Sequence, residues 1–353
     1  MENSGLMKKT YSKYAFSAAM FMVAAVIVQL FNNIVLTNVL PESFVNSSVF
    51  AFFNIIFPEY FIGFPLLIVL IMLIFKMDTK VPEKNKFGFG KFIVTLLMMA
   101  GAVLVGAILG TGLTIITTRP FGVNIADTNA LGNLMMGSNP FWRILTVGIL
   151  APIVEELVFR KFLIDRVVKY GEFVAIFTSG LMFGLFHGNF SQFFYATFIG
   201  WIFAYVYVRT GKVWITILFH MMMNLATSVV SVTLLGMVDY EAVNRYSELS
   251  KQVLANPSDT ALQAQMTEAM MASIPYLLLC GWFAFLGFLA FVGIIIWIVV
   301  LVRKKIKIQR TEDQVEKGMK FAWGNPGMII FVAAMVVLFV MNYLSMILPA
   351  IKG

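Results

Sequence analysis

Two histidines, His187 and His220, lie in apolar runs of a 353-residue chain that holds no other histidine. Two adjacent carboxylates, Glu155 and Glu156, lie in a third such run, Gly148-Ile-Leu-Ala-Pro-Ile-Val-Glu-Glu-Leu-Val-Phe-Arg160. Ionisable side chains in segments fit for a membrane are rare and mark functional sites or proton pathways. Neighbouring residues on a helix point about 100° apart, so at most one of the two carboxylates faces a given partner. Arg160 stands four residues after Glu156 and can pair with it, which leaves Glu155 available. Pro152, just upstream, removes a backbone donor and can kink the helix toward a cavity. A carboxylate in a low-dielectric pocket can take a proton from water. A neutral imidazole beside it can orient that water or hold a metal, and a second imidazole with an amide can stabilise an oxyanion. These are parts for attack of water on an amide carbonyl. No serine or cysteine stands beside a base in these runs, so a covalent nucleophile is not suggested.

Helices must bring those side chains together, and the turns between them set the register. Lys169-Tyr170-Gly171-Glu172 reads as a turn, and Glu155 and His187 each lie 16 residues from Gly171. At 1.5 Å per residue both stand roughly 24 Å from it, so an antiparallel hairpin predicts them at one height. Gly211 marks a second turn, and His220 lies nine residues beyond it, roughly 13 Å up, so a foot of about 10 Å on the first hairpin would bring it level with Glu155 and His187. Asn224 shares the face of His220 at i+4, as Phe183 shares that of His187.

Nine apolar segments approach the roughly 20 residues needed to cross about 30 Å of hydrocarbon: 14–36, 50–75, 91–116, 141–163, 173–188, 191–208, 213–235, 275–302 and 328–349. Hydrophobic residues make up 60% of the chain and charged ones 12%, with a mean hydropathy of +0.87. A soluble domain carries about twice that charge. The fold predicted is all-α, a polytopic transmembrane bundle of about eight or nine spans. The run 14–36 is too long for a signal peptide and is read as a retained span. Cys280 is the one cysteine, which excludes an internal disulfide.

The net charge of +8 does not imply a nucleic acid partner, because the basic residues collect in alternate loops. Lys76, Lys80, Lys84, Lys86 and Lys91 fill one, Arg160 to Lys169 another, Arg209 and Lys212 a third, and Arg303 to Lys320 a fourth. The loops 37–49 and 189–190 have no Lys or Arg, and 117–140 has Arg119 alone. That alternation sets topology and places the N-terminus, with Lys8, Lys9 and Lys13, in the cytoplasm of an integral membrane protein. The organisation expected is N-terminal helices over 1–140, a chemistry-bearing core over 141–235, a polar extracytoplasmic hairpin over 236–274, and C-terminal helices over 275–353. Within the hairpin, Asn256-Pro257 breaks two helix-forming stretches, 240–254 and 260–272.

The ordered triple Glu155-Glu156-x-x-x-Arg160, Phe183-x-x-x-His187 and His220-x-x-x-Asn224 resembles the motifs of the CAAX protease and bacteriocin-processing family, also called the Abi family. It covers about 75 residues, 150–225. The resemblance implies an intramembrane endopeptidase acting on a membrane-associated peptide or protein, in a bacterial cell membrane with lipid around it. It implies that Glu155 activates water, that His187 orients it, that His220 and Asn224 form the oxyanion side, and that Glu156 and Arg160 support the site. The family is often labelled a metalloprotease, while a metal-free glutamate mechanism is also argued for it. Glu155, His187 and His220 would make a two-histidine, one-carboxylate set for a divalent metal such as zinc, but no His-Glu-x-x-His motif is present. The competing expectation is a proton- or peptide-coupled transporter or immunity protein. Glu59 beside Pro58 in the second segment favours it most, although no inverted repeat is apparent.

Overall fold

Apolar runs of this length leave the backbone no partner but itself, and helices satisfy every internal N–H and C=O. The computed structural model describes residues 2–45, 47, 49–50, 53–54, 57–123 and 139–352, and every regular element among them is helical. In chain order these are α1 (Glu2–Val39), α2 (Glu42–Val45), α3 (Phe57–Ile74), α4 (Phe89–Phe121), α5 (140–170), α6 (Glu172–Phe186) and α7 (Phe190–Thr210). They continue as α8 (Val213–Gly236), α9 (Tyr240–Ala255), α10 (Thr260–Ala272), α11 (Ile274–Val302), α12 (Gly318–Trp323) and α13 (Pro326–Lys352). Most of the expected loop 117–140, and the start of the expected segment 50–75, lie outside the described residues.

Among the described residues seven helices, α1, α3, α4, α7, α8, α11 and α13, are long and apolar enough to cross a membrane. The remaining two of the nine expected segments are helical but differ from simple spans. Helix α5 carries Glu155, Glu156, Arg160 and Lys161 within two turns, and α6 has 15 residues, roughly 22 Å. Along α11 the exposed side chains include Phe283, Phe285, Phe288, Phe291, Ile295 and Ile298. Such a surface suits lipid, and the chain is an integral membrane protein.

Lipid offers no hydrophobic drive for one helix to seek another, so close packing through small residues has to hold the bundle. Helix α6 packs along α7, α7 along α4, α4 along α11, and α1 along α13. Gly180 and Gly184 make the first of these contacts possible. A Cβ on Gly180 would come within 2.7 Å of the Trp201 backbone nitrogen, and one on Gly184 within 2.7 Å of the Phe193 carbonyl oxygen. The core lies where α1, α5, α6, α7, α8 and α13 meet, around Tyr11, Tyr14, Phe159, Leu163, Phe183, Phe203, Phe219 and Phe331.

Polar ties fix the basic ends of the helices. Arg209 pairs with Glu172 across the α6–α7 hairpin and donates to the Lys307 carbonyl at 2.8 Å. The Gln309 backbone N–H donates to the same Glu172 carboxylate at 2.6 Å, so the segment after α11 is bound to the hairpin. Lys80 meets Glu312 at 2.8 Å. Asp165 of α5 accepts from Tyr207 of α7 at 2.6 Å and pairs with Lys161 at 2.6 Å.

Candidate functional site

Helix α5 opens with Asn139, whose side chain accepts from the Phe141 N–H at 2.9 Å, followed by Pro140 in the first turn. Both residue types suit those positions, since the side-chain oxygen caps an orphan donor and Pro has none to lose. Two stretches of α5, Ile144–Leu150 and Leu157–Phe162, widen to π-helical bonding on either side of Ala151–Glu156. Such widened turns recur at functional sites because they re-aim side chains. Here they flank the two glutamates.

The adjacent carboxylates separate as their spacing predicts. Glu156 is fully buried and pairs with Arg160, also fully buried, at 3.2 Å. The Arg160 guanidinium lies 4.4 Å from the Phe183 ring and 5.1 Å from that of Phe203, and it donates to the Gly200 carbonyl at 3.3 Å. A charge in this setting persists only because pairing and aromatic faces replace its water. Glu155 keeps 26% of its side chain exposed. One carboxylate is structural and closed; the other is open to a reactant.

His220 of α8 joins them. Its Nδ1 lies 3.0 Å from Glu156 Oε1, and its Nε2 lies 3.6 Å from Glu155 Oε2. An ionised carboxylate can only accept, so Nδ1 carries the proton and donates to Glu156. That fixes the tautomer and leaves the Nε2 lone pair facing Glu155. At 3.6 Å the two atoms are too far apart for a direct hydrogen bond.

His187 follows the last turn of α6. The hairpin turn does form at Gly171, whose φ of +145° suits glycine. The histidine within ion-pair distance of Glu155, however, is His220. Helix α6 ends at Phe186, and the π-helical stretch Leu157–Phe162 lies within the count from Gly171 back to Glu155. The His187 ring turns back so that Nδ1 lies 2.9 Å from the Phe183 carbonyl. That oxygen accepts, so Nδ1 donates and Nε2 holds the lone pair. The ring remains within electrostatic reach of His220 and Arg160. Phe183 stands edge-on to both imidazoles, with centroids 4.9 and 5.6 Å away. Asn224 donates to the Val147 carbonyl of α5 at 2.9 Å, stitching α8 to α5.

Three further residues reach Glu155. The carboxyl of Glu59, on α3, and the phenols of Tyr60 and Tyr195 all lie within electrostatic reach of it. Tyr195 accepts from Gln192 at 3.0 Å. Glu59 was visible as an acid in an apolar run, but its sequence neighbourhood points to no partner. Tyr60 and Tyr195 carry no signal that separates them from other aromatics.

The set Glu155, His187 and His220 can be tested against a metal. Among the described residues no three His, Cys, Asp or Glu side chains group closely enough to hold an ion. A zinc site wants such ligands at about 2.0–2.3 Å around one point. The donor set present does not fit a metal.

Residues 137–226 match the family model described as type II CAAX prenyl endopeptidase Rce1-like. Over 106 residues the chain is 32% identical to a Bacillus subtilis (strain 168) protein named "Putative membrane peptidase YdiL". That match takes in 30% of this chain and 40% of the relative's length. No solved structure matches significantly. All six motif side chains, from Glu155 to Asn224, fall inside 137–226, the segment over which the chain is similar to the type II CAAX prenyl endopeptidase Rce1-like family.

Proposed function

We propose that the chain is an intramembrane endopeptidase that hydrolyses a peptide bond of a membrane-associated protein or peptide with water as nucleophile. The observation that carries this reading is the open carboxylate of Glu155 3.6 Å from the lone pair of His220 Nε2. A water placed about 2.8 Å from both atoms can donate one hydrogen to each, with its own lone pair aimed outward. As the oxygen attacks the carbonyl carbon, Glu155 accepts its proton. Glu156 accepts from His220 Nδ1–H and is itself held by Arg160, which fixes the ring with Nε2 toward the water. His187, within electrostatic reach of His220, presents its Nε2 lone pair to a substrate N–H or a second water, since both hydrogens of the first are used. Asn224 keeps one amide N–H beyond the bond to Val147, which suits a developing oxyanion.

Purified, folded Glu155→Gln should lose at least about a hundredfold in peptide cleavage, the usual contribution of a positioned base. Undiminished turnover in that variant ends this reading. The transporter reading draws on Glu59 near Glu155, since carboxyl chains also relay protons. It requires pH-driven flux in liposomes without cleavage.

A further inference from the structure

Glu59 has no part in the steps above. It sits after buried Pro58 in the π-helical stretch Phe57–Gly63 of a spanning helix, half-buried. Among the described residues it makes no hydrogen bond and no ion pair. Its helix is held against the site from two directions. Gly63, one turn on, lies so close to α1 that a Cβ there would come within 2.9 Å of the Phe21 carbonyl. The Phe21 ring in turn packs at 5.1 Å on Phe186, the residue before His187. Phe64 stacks at 6.2 Å on Phe162 of α5, two residues beyond Arg160. These contacts hold the helix of Glu59 against α1 and α5, with its unpartnered carboxyl within electrostatic reach of Glu155.

Two carboxyls within reach of each other repel when both are ionised, which suits one as the holder of a proton and the other as its acceptor. Peptide hydrolysis needs a proton at a second place, because an amine leaves poorly as an anion. We infer that Glu59 is a further catalytic residue, the general acid that protonates the leaving nitrogen while Glu155 acts as base. The step balances without another reactant. Water gives its proton to Glu155, and its oxygen bonds to the carbonyl carbon. The C–N bond then breaks, and the nitrogen takes the proton from the Glu59 carboxylic acid. The products are a carboxylic acid and an amine. The proton ends on Glu155 and returns to Glu59 between turnovers.

This inference rests on the endopeptidase reading, and the choice of leaving group separates the two. The probes are the quenched-fluorescent decapeptide that wild type cleaves best in a screen of apolar sequences, and its twin with an ester at the scissile bond. An alkoxide leaves with little help from an acid, whereas an amine does not. Glu59→Gln should lose about a hundredfold on the amide and less than about tenfold on the ester. Glu155→Gln should lose both. Equal losses on the two probes in Glu59→Gln, or no loss on either, overturn the role of Glu59. Full activity in Glu155→Gln overturns the endopeptidase reading instead. If Glu59→Gln does not stay monodisperse in detergent, the amide-to-ester ratio is read in Glu59→Asp. The displaced carboxyl there should lower the ratio, and an unchanged ratio overturns the inference.

Discussion

Arg160 holds the site in place through three kinds of contact at once: an ion pair to Glu156, a hydrogen bond to Gly200 and the faces of Phe183 and Phe203. A lysine cannot reproduce the planar fork that fits between two rings. Arg160→Lys should therefore keep its charge and still lose activity, measured on the same peptide probe. Removing one partner of a buried pair leaves an uncompensated charge and costs about 3–5 kcal/mol. Glu156→Gln should accordingly lower the thermal midpoint in detergent. The double variant Glu156→Leu/Arg160→Met removes both charges and should recover much of that stability. It should stay inactive, because nothing then holds the proton on His220 Nδ1. Stability and activity rising together in the double variant would contradict the orienting role of Glu156. The donor set gives one more expectation at this scale. Turnover should survive treatment with o-phenanthroline, and loss of activity restored by zinc would show that the side chains close around an ion in the membrane.

The helices that carry these residues were largely legible, and the reasons differ from one to the next. Segments such as 275–302 and 328–349 announce themselves by unbroken apolarity, and α11 and α13 follow them closely. The pairing of Glu156 with Arg160 was legible from i+4 spacing alone. The approach of His220 to Glu155 was legible only as a matching depth counted from Gly211, because the π-helical stretch Leu157–Phe162 makes the exact register of α5 unreadable from even α-helical rise. Glu59 and Tyr195 approach Glu155 from helices remote in sequence, and no local pattern encodes that meeting. Gly180 and Gly184 give a direct test of helix packing. Gly184→Leu must push α6 off α7 and should cost about 1–3 kcal/mol as overpacking, read as a lowered thermal midpoint. The loop tie between Lys80 and Glu312 is exposed and contributes little. Their hydrogen bond holds the Glu312 carboxyl below its usual range and the Lys80 ammonium above its own. The tie thus lapses only as pH falls through the lowered carboxyl value or rises through the raised ammonium value, and it persists at neutral pH.

Across the whole molecule the basic loops gather at one end of the bundle, where Glu172 and Arg209 clasp the segment 303–317. If that end is cytoplasmic, a membrane-impermeant maleimide should label Gln252→Cys in intact cells and Lys307→Cys only after permeabilisation, in a Cys280→Ser background. The reverse pattern would invert the topology. Among the described residues helix α5 is long but too charged to count as an independent span. During synthesis it reaches the insertion machinery with Glu155, Glu156, Arg160 and Lys161 uncompensated outside their own pairings, and each charge near a helix centre disfavours insertion by about 2.5–3.5 kcal/mol. The imidazole that binds Glu156 is translated 64 residues later. A nascent chain truncated before α8 should therefore leave α5 unintegrated, and completion of the site and commitment of that helix to the bilayer become a single event in biogenesis.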